Sequence, residues 1–526
     1  MNNDPIVHLS SLIPHLRALC ALCLPSETTP VVEEGGNAFL SRVQPMNQPN
    51  VIFIIADQHR WDFMGGESNG TTHTPNLDRI AASGTRFRTA TCTAPLCSPS
   101  RAAIASGRYG ANTGCFTNLH ELPPDTPTFV SQFRGSGYRT AVVGKTHMGI
   151  HAYDADYTSE AHRAFMHSLG WDETCEISGN GMLRQGLKCH YSECLTAEGR
   201  FDDVLKYYEN WHYFMDTERG GDPGFVPHEW PLEDEYQETT FVGSRALNWL
   251  ETRDRARPYL LHVGFAGPHS PIEPSATHMD FYRNAPEAPP WNNETPPDWL
   301  ADGRRGYRAM ISQIDEWVGR IYDRIAADGE LDNTVFVYTA DHGEMAGDHG
   351  RFDKTCFYEA SLRVPLVLSG PGIREGSDSD ALVEIIDLGK TLCDLCDVPP
   401  HALDLGRSLV PVLSGAETGH RDTLYAEMGC DRMLRDERYK LMWGDPRSDR
   451  RKLGRLHLDK PVNIPPSPAR LYDLEADPTE CVDLAQDSSQ RTLLSEMMEK
   501  LLVRINQNTL ARPNKSRGEY TPLRSG

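Results

Sequence analysis

The chain is 526 residues long, 39% of its residues are hydrophobic, and its formal net charge at pH 7 is −22. This length allows a large core, either in one large α/β unit with a smaller one or in roughly three or four average domains. The negative charge argues against a nucleic-acid partner and against binding to an anionic membrane surface. It does not exclude an anionic substrate, because a local cluster of cations and a metal can override the overall sign.

Three features predict a cytoplasmic protein without a membrane partner. The sequence contains no run of 18 or more apolar residues, so we expect no transmembrane helix. The apolar patch Leu16–Leu24 lacks a basic flank and a clear small-residue cleavage site, so we expect no signal peptide. The 13 cysteines are an odd number without framework spacing, which is typical of reduced thiols.

The first 45 residues show no sustained hydrophobic periodicity. Met46 then stands just before a strongly apolar stretch, residues 51–56, that reads as a buried strand. We therefore predict a disordered N-terminal extension over residues 1–45, a main domain over 46–414 and a C-terminal subdomain over 415–526.

Short apolar or β-branched runs alternate with helical patterns through the main domain. The predicted strands are 51–56, 140–143, 259–263, 334–338 and 364–368. Runs this short and apolar are typical of strands buried on both faces. The clearest helix places one apolar stripe on Met310, Ile311, Ile314, Trp317, Val318, Ile321 and Ile325, and a second spans 241–250. This alternation predicts an α/β fold with a large mixed, mainly parallel sheet sandwiched by helices.

The pattern changes beyond Gly406. The short runs 423–427 and 439–443 indicate an antiparallel meander. A terminal helix follows, with one apolar face formed by Leu493, Leu494, Met497 and Leu501. We therefore expect a smaller C-terminal subdomain made of an antiparallel sheet and a helix.

Polar side chains follow two of the predicted buried strands. Asp57 and Gln58 come directly after the first strand, and the run 341–344, Asp-His-Gly-Glu, follows the strand at 334–338. Ligands of open α/β sheets bind beyond the carboxyl ends of the strands, so these groups can converge on one divalent cation. Either pair alone is better explained by ordinary turn or cap residues, because Asp is common at strand ends.

The stretch Cys97-Ser98-Pro99-Ser100-Arg101 supplies a third element. Pro99 suits the first turn of a helix, so Cys97 is expected just before a helix N-terminus. Free N–H groups and the helix dipole favour anions there, so an anionic ester would meet a nucleophile and a positive field together. A plain thiolate nucleophile is the alternative, although no neighbouring His in the sequence supplies a base.

These motifs resemble those of the sulfatase family, whose fold is alkaline-phosphatase-like. Cys97-x-Pro-Ser-Arg with Ser106-Gly-Arg is similar to the family's first signature, and residues 137–149, which include Lys145 and His147, resemble the second. Further matching stretches occur in the family's order at 268–271, 341–344, 347–350, 354, 358–365 and 471–478. The resemblance spans roughly residues 50 to 485 and implies hydrolysis of a sulfate ester to an alcohol and inorganic sulfate.

The resemblance also implies a metal centre and a modified nucleophile. Asp57, Asp341 and His342 would bind one divalent metal, with Gln58 as a fourth ligand. Cys97 would be converted to 3-oxoalanine (formylglycine) by a formylglycine-generating enzyme and would also contact the metal. The oxygen-rich ligand set favours Ca²⁺, with Mn²⁺ or Mg²⁺ as alternatives.

The remaining roles implied by the resemblance concern the sulfate group and proton transfer. Arg101 would hold the formylglycine, and Lys145 and Lys354 would clamp the sulfate oxygens. His269 would protonate the leaving alcohol, and His147 would take a proton so that sulfate is expelled. This chemistry needs several cations around a highly charged transition state and an acid for a poor leaving group.

Two departures from the common sulfatase pattern leave an alternative open. Many sulfatases have Asp and Asn at the positions of Gln58 and His342. Gln and His at these positions resemble choline sulfatases and phosphonate monoester hydrolases of the same superfamily. The Lys145-Thr-His147 motif resembles sulfatases more closely. We therefore expect a small-molecule or carbohydrate sulfate ester as substrate, with a phosphonate monoester or phosphodiester as the second choice and an inactive anionic-glycan-binding protein as a third. The sequence leaves homo-oligomerisation open.

Overall fold

The computed structural model describes residues 48–67, 71–149, 155–179, 182–183, 186–209, 224–228, 230–444 and 469–510, and the predicted extension over 1–45 lies outside them. The strands are β1 Asn50–Asp57, β2 Gly84–Phe87, β3 Ala90–Thr91, β4 Arg139–Gly144, β5 Glu173–Glu176, β6 Tyr259–Pro268, β7 Thr334–Ala340, β8 Arg363–Val364, β9 Leu366–Ser369, β10 Ser377–Ser379, β11 Val383–Glu384, β12 Leu424–Met428, β13 Asp431–Arg435, β14 Tyr439–Trp443 and β15 Ala469–Asp473. The α-helices are α1 Pro75–Ala82, α2 Cys97–Ser106, α3 Gly110–Thr113, α4 Phe129–Gly135, α5 Glu160–Ser168, α6 His190–Ala197, α7 Phe201–Glu209, α8 Glu238–Thr252, α9 Ala276–Tyr282, α10 Leu300–Ala327, α11 Glu359–Leu362, α12 Asp387–Leu395, α13 Val410–Leu413 and α14 Arg491–Leu510.

An eight-stranded sheet forms the centre of the molecule, in the order β10-β2-β9-β7-β1-β6-β4-β5. Strands β7, β1, β6, β4 and β5 run parallel to one another. Strand β9 is antiparallel to both of its neighbours, β7 and β2. The predicted large mixed, mainly parallel sheet is therefore confirmed.

Strand β1 shows why this sheet is covered on both faces. All eight of its residues are buried. Val51, Phe53 and Ile55 belong to one hydrophobic cluster, whereas Ile52 and Ile54 belong to a second. Since side chains alternate across a strand, these clusters lie on opposite faces of the sheet. A run that is apolar at every position is the expected sequence for such a strand.

Helix α10 covers the face of Ile52 and Ile54 with the apolar stripe predicted from the sequence. Ile314, Val318 and Ile321 are completely buried in the same cluster as that face of β1. The helix begins at Leu300, ten residues before the first residue of the predicted stripe. No helix in the described ranges is long and apolar enough to span a membrane.

The strand predicted over 364–368 is wrong as a single element. The chain forms two short strands there, β8 before Pro365 and β9 after it. Pro365 has no N–H to donate to a sheet ladder, which explains the break. Strand β8 pairs with β3 in a separate three-stranded sheet, whereas β9 joins the central sheet.

A four-stranded antiparallel sheet, β12-β13-β14-β15, follows the main sheet, and helix α14 packs on it. Two side chains of the helix, Met497 and Leu501, are buried against leucines of the sheet. These leucines are Leu434, Leu441 and Leu471. The predicted C-terminal antiparallel sheet and helix are therefore confirmed.

Candidate active site

Four neighbouring parallel strands end beside predicted site residues. Strand β1 ends at Asp57 and β7 ends just before Asp341, and their register places Ala56 opposite Ala340. Strand β4 ends just before Lys145, and β6 ends just before His269. Because the carboxyl ends of parallel strands share one edge of the sheet, these residues lie at a common edge.

Cys97 completes a compact group at this edge. Its Sγ lies 3.2 Å from Nε2 of His342 and 3.8 Å from Oδ1 of Asp57. Ligand atoms of Asp57, Cys97, Asp341 and His342 all lie within 4.8 Å of one another, and all four residues are buried. Two buried carboxylates and an imidazole converging in this way form a donor set that suits a divalent cation.

The structure corrects one detail of the predicted position of Cys97. The residue is the first of helix α2, with Leu96 as its N-cap, rather than the residue before the helix. The side chain of Ser100, one turn later, donates a 2.6 Å hydrogen bond to the backbone oxygen of Asp341. This bond ties the start of α2 to the end of β7 and so places Cys97 over the ligand group.

Cations surround the two carboxylates. Nε of Arg101 lies 2.7 Å from Oδ2 of Asp341, and Nζ of Lys145 lies 2.6 Å from Oδ2 of Asp57. Arg101 also donates to the backbone oxygen of Lys145 at 2.7 Å. Burial raises the pKa of the Asp57 carboxyl, but Lys145, His269, Arg101 and Lys354 together hold it well below its usual value. Asp57 is therefore ionised at neutral pH.

Gln58 joins Lys354 to this group. Its backbone N–H donates to Oδ1 of Asp341 at 2.9 Å, and its side-chain oxygen accepts from Nζ of Lys354 at 2.5 Å. Gln58 has a positive φ of 67°, a conformation that non-glycine residues adopt infrequently. This conformation turns the chain sharply at the end of β1.

The two predicted catalytic histidines follow neighbouring strands. His269 is half-buried, and its Nδ1 lies 2.5 Å from the backbone oxygen of Ser270. Burial and the Asp57 carboxylate raise the pKa of the Cys97 thiol, but Lys354, His342 and a hydrogen bond with His269 outweigh them and lower it to about 5. His147 is buried two residues beyond Lys145 and has a φ of 55°.

Two further carboxylates support this group: sequence reasoning missed Glu176, and it placed Glu344 only within the run 341–344 that could converge on a cation. Glu176 accepts a short hydrogen bond from the Thr146 hydroxyl, between Lys145 and His147, and lies 2.5 Å from Nε2 of His162. It ends β5, whose sequence Glu-Thr-Cys-Glu carries no strand signal. Glu344 accepts a hydrogen bond from the side chain of Gln58. Its only sequence signal is its place two residues beyond His342.

Comparison with known proteins gives the family. The family model "Sulfatase" matches residues 49–398, and the model "N-sulphoglucosamine sulphohydrolase, C-terminal" matches residues 347–507. An arylsulfatase of Clostridium perfringens is 26% identical over 496 residues, covering 87% of this chain and 94% of the relative. A choline-sulfatase of Rhizobium meliloti is 25% identical over 480 residues, covering 84% of this chain and 83% of the relative.

Solved structures share the fold. The phosphonate monoester hydrolase of Agrobacterium radiobacter has a TM-score of 0.69 and 23% identity, covering 88% of this chain and 96% of that chain. The structure of BT4656 in complex with its substrate D-glucosamine-2-N,6-O-disulfate has a TM-score of 0.66 and 22% identity, covering 90% of this chain and 100% of that chain. Because the sulfatase model covers more than half of the 526 residues, the chain belongs to the sulfatase family and is a sulfuric ester hydrolase with an alkaline-phosphatase-like fold.

Proposed function

We propose that the protein hydrolyses a small-molecule or carbohydrate sulfate ester, with a nucleophile formed from Cys97 and one divalent metal. The observation that carries the proposal is the convergence of Cys97 with Asp57, Asp341 and His342 within 4.8 Å, at a sheet edge where Lys145 and Arg101 also lie. A buried nucleophile, a cation site and positive side chains are together what transfer of an anionic group requires.

The residues fit a hard divalent cation. Asp57, Asp341, His342 and the side-chain oxygen of Gln58 would hold it. The set of three oxygen ligands and one imidazole favours Ca²⁺, with Mn²⁺ or Mg²⁺ as alternatives. When bound, such a cation polarises an ester oxygen and acidifies a hydroxyl beside it.

In the proposed mature enzyme the Cys97 sulfur stands where the hydrated aldehyde of formylglycine would be. This hydrate would supply one hydroxyl to attack the ester sulfur, which would break the bond between that sulfur and the alcohol oxygen, and a second hydroxyl whose deprotonation would break the bond from carbon to the sulfate oxygen and restore the aldehyde. A thiolate would instead give a sulfur–sulfur adduct without an easy exit. The aldehyde hydrate therefore splits one difficult step into two easier ones.

The other side chains would bind the anion and move protons. Lys145 and Lys354 would hold the sulfate oxygens, and Arg101 would hold the nucleophile. His269, which directly follows β6 at the same sheet edge, would protonate the leaving alcohol. His147 would accept the proton of the second hydroxyl so that sulfate can depart.

A substrate panel tests the proposed reaction. Matured enzyme should hydrolyse an aryl sulfate with a higher kcat/KM than a matched aryl phosphonate monoester or phosphodiester. Gln58 and His342 are the residues that favour the second candidate, phosphonate or phosphodiester hydrolysis. A higher kcat/KM on either phosphorus substrate would replace the sulfate assignment by that candidate. Ligand binding without turnover on all three substrates would contradict an enzymatic role.

A further inference from the structure

Glu344 is a buried carboxylate with no role in the proposed mechanism. Only 1% of its surface is exposed. Its Oε2 accepts a short hydrogen bond from the side-chain nitrogen of Gln58. Its Oε1 accepts from the backbone N–H of Ala346 at 2.9 Å and of Asp353 at 2.7 Å. One carboxylate therefore connects the end of β1, the loop after β7 and the loop that carries Lys354.

The remaining polar atoms of Gln58 are also held. Its backbone N–H donates to Asp341, and its backbone oxygen accepts a short hydrogen bond from the Tyr307 hydroxyl. Its side-chain oxygen accepts from Nζ of Lys354 at 2.5 Å. The left-handed backbone at φ 67° adds to this constraint. The position of Gln58 is therefore fixed. What remains to be explained is why the oxygen of its amide, and not the NH₂ group, faces Lys354.

Hydrogen-bond chemistry determines that orientation. An amide has an oxygen that accepts and an NH₂ group that donates. The Lys354 ammonium can only donate, so the oxygen of Gln58 must face Lys354 and the NH₂ group must face Glu344. A donor at position 344 would oppose this arrangement, because two donors would then face each other.

We propose that Glu344 is a positioning residue that orients the Gln58 amide, so that its oxygen is presented to the metal and to Lys354. The inference rests on the proposed function, because it takes Gln58 as a metal ligand. Partners that orient a metal ligand typically change metal affinity by about 10–100-fold when they are substituted. Glu344 acts through Gln58 and does not touch the substrate.

A double-mutant cycle between positions 58 and 344 tests the proposal. In Glu344→Gln the new oxygen can still accept from the two backbone N–H groups, so its NH₂ group faces that of Gln58. In Gln58→Glu two carboxylates face each other. In the double variant the hydrogen bond returns with reversed polarity, and an oxygen still faces Lys354. The two substitutions should therefore compensate each other instead of adding.

The primary measurement is Ca²⁺ affinity, by calorimetric titration of chelated full-length protein with unmodified Cys97. We expect Glu344→Gln to weaken binding about tenfold or more, and the double variant to recover most of this loss. Asp315→Asn is the matched control. Its carboxylate is also buried and accepts from a backbone N–H, that of Leu77 at 2.7 Å, but it lies outside the site. This control should bind Ca²⁺ like the wild type.

Wild-type affinity in Glu344→Gln, or additive losses in the double variant, would overturn the positioning role. If Glu344→Gln does not fold, the double variant decides, because a folded and Ca²⁺-binding double variant supports the role and an unfolded one contradicts it. The proposed function fails separately: a wild-type enzyme that neither binds a divalent cation nor hydrolyses sulfate esters would refute it. If only the positioning role of Glu344 is wrong, the wild-type enzyme still binds the cation and hydrolyses sulfate esters.

Discussion

Asp57 and Asp341 illustrate how single residues set the properties of this site. Both carboxylates are completely buried, and a buried charge is costly unless it is paired. Arg101 contacts both of them, and Lys145 contacts Asp57. Removing one partner would leave an uncompensated buried charge, so substitutions here should lower stability independently of any effect on the proposed catalysis.

The nucleophile gives the most direct test at this scale. Cys97→Ala should lose nearly all sulfatase activity, and Cys97→Ser should lose most of it, because a serine adduct lacks the second hydroxyl and stays sulfated. Loss of a nucleophile can reduce the rate by roughly six powers of ten. Kinetics on an aryl sulfate measure the loss, and peptide mass spectrometry of active enzyme should find formylglycine at position 97. An unmodified Cys97 peptide throughout a fully active sample would rule the mechanism out.

Metal removal gives a second test. Exhaustive chelation should abolish activity, and added Ca²⁺ should restore it. Since Ca²⁺ would bind only the folded state, it should also raise the Tm, with a stabilisation of about 2.7 kcal/mol at a concentration 100 times Kd. Asp341→Asn should lose the Tm shift, whereas Asp315→Asn should retain it. Full activity after chelation, with no metal in elemental analysis, would contradict the metal centre.

Asp57 and Asp341 could be named from strand ends, because Asp57 ends one buried apolar strand and Asp341 directly follows another. Lys145 and His269 are named from the family resemblance, and the structure shows that they also directly follow strands, β4 and β6. Glu176 follows the same rule, but its strand is too short and polar to be recognised. The supporting hydrogen bonds, such as that between Gln58 and Glu344, depend on side-chain directions that a linear sequence does not specify.

At the scale of elements, helices α8 and α10 approach closely where a glycine permits it. A Cβ added to Gly243 of α8 would lie 2.2 Å from Cδ2 of Trp317 of α10, whose side chain is buried. A fused aromatic ring cannot move aside at low cost in a packed core. Gly243 is therefore a packing requirement, although glycine lowers helix stability.

Gly243→Ala should lower the free energy of unfolding by about 1–3 kcal/mol, the usual cost of overpacking. Gly135→Ala is the control, because a Cβ at Gly135 of α4 meets no atom within 4 Å. The control should be neutral or more stable by about 0.4–1 kcal/mol through its effect on the unfolded chain. Urea unfolding followed by circular dichroism compares the two variants. Equal stabilities would mean that the contact between α8 and α10 relaxes without cost.

The strand predictions also show the limit of pattern reasoning for elements. Strands β1, β6 and β7 could be recognised because each contains a mostly apolar or β-branched run of five or more residues. Strands β2, β3 and β10 are short, and their pairing joins segments almost 300 residues apart, such as Thr85 and Ser377. Such pairing follows from tertiary packing, which local patterns do not encode.

At the scale of the whole molecule, a buried ion cluster connects the central body to the C-terminal sheet. Lys440 of β14 is completely buried, with its Nζ 2.9 Å from Oε1 of Glu359 and in short contact with Glu480. Burial raises the pKa of Glu359, but Arg435, Lys440 and Arg363 outweigh it and lower the pKa to about 2. Burial raises the pKa of Glu480 to about 7.

Replacing Lys440 should therefore destabilise the protein in a pH-dependent way. Glu480 is protonated in the folded state below its pKa of about 7, so its ionisation opposes folding increasingly as the pH rises. Without the Lys440 cation the pKa of Glu480 in the folded state rises further. The free-energy cost of ionising Glu480 in the folded state therefore becomes larger and increases up to a higher pH. Lys440→Met should cost about 3–5 kcal/mol near neutral pH, with a larger loss at pH 8 than at pH 5.

Lys500→Met is the matched control for this cluster. Nζ of Lys500 pairs with Asp436 at 2.7 Å, but 49% of the Lys500 side chain is exposed. Exposed pairs contribute about 0–1 kcal/mol, so this variant should stay close to the wild type at both pH values. Urea unfolding at pH 5 and pH 8 gives the comparison. A Lys440→Met loss that is equal at the two pH values would contradict the titration of Glu480.

The depth of Cys97 has a consequence for the order of events in synthesis. Only 1% of its surface is exposed, and His342, which covers it, comes 245 residues later in the chain. At 5–20 residues per second, the ribosome needs roughly 10–50 s to make that interval. During this time the Cys97 stretch exists without the segments that enclose it. Under the proposed function, a formylglycine-generating enzyme would reach Cys97 most easily within this window, and a chain that folds before conversion would keep a plain thiol.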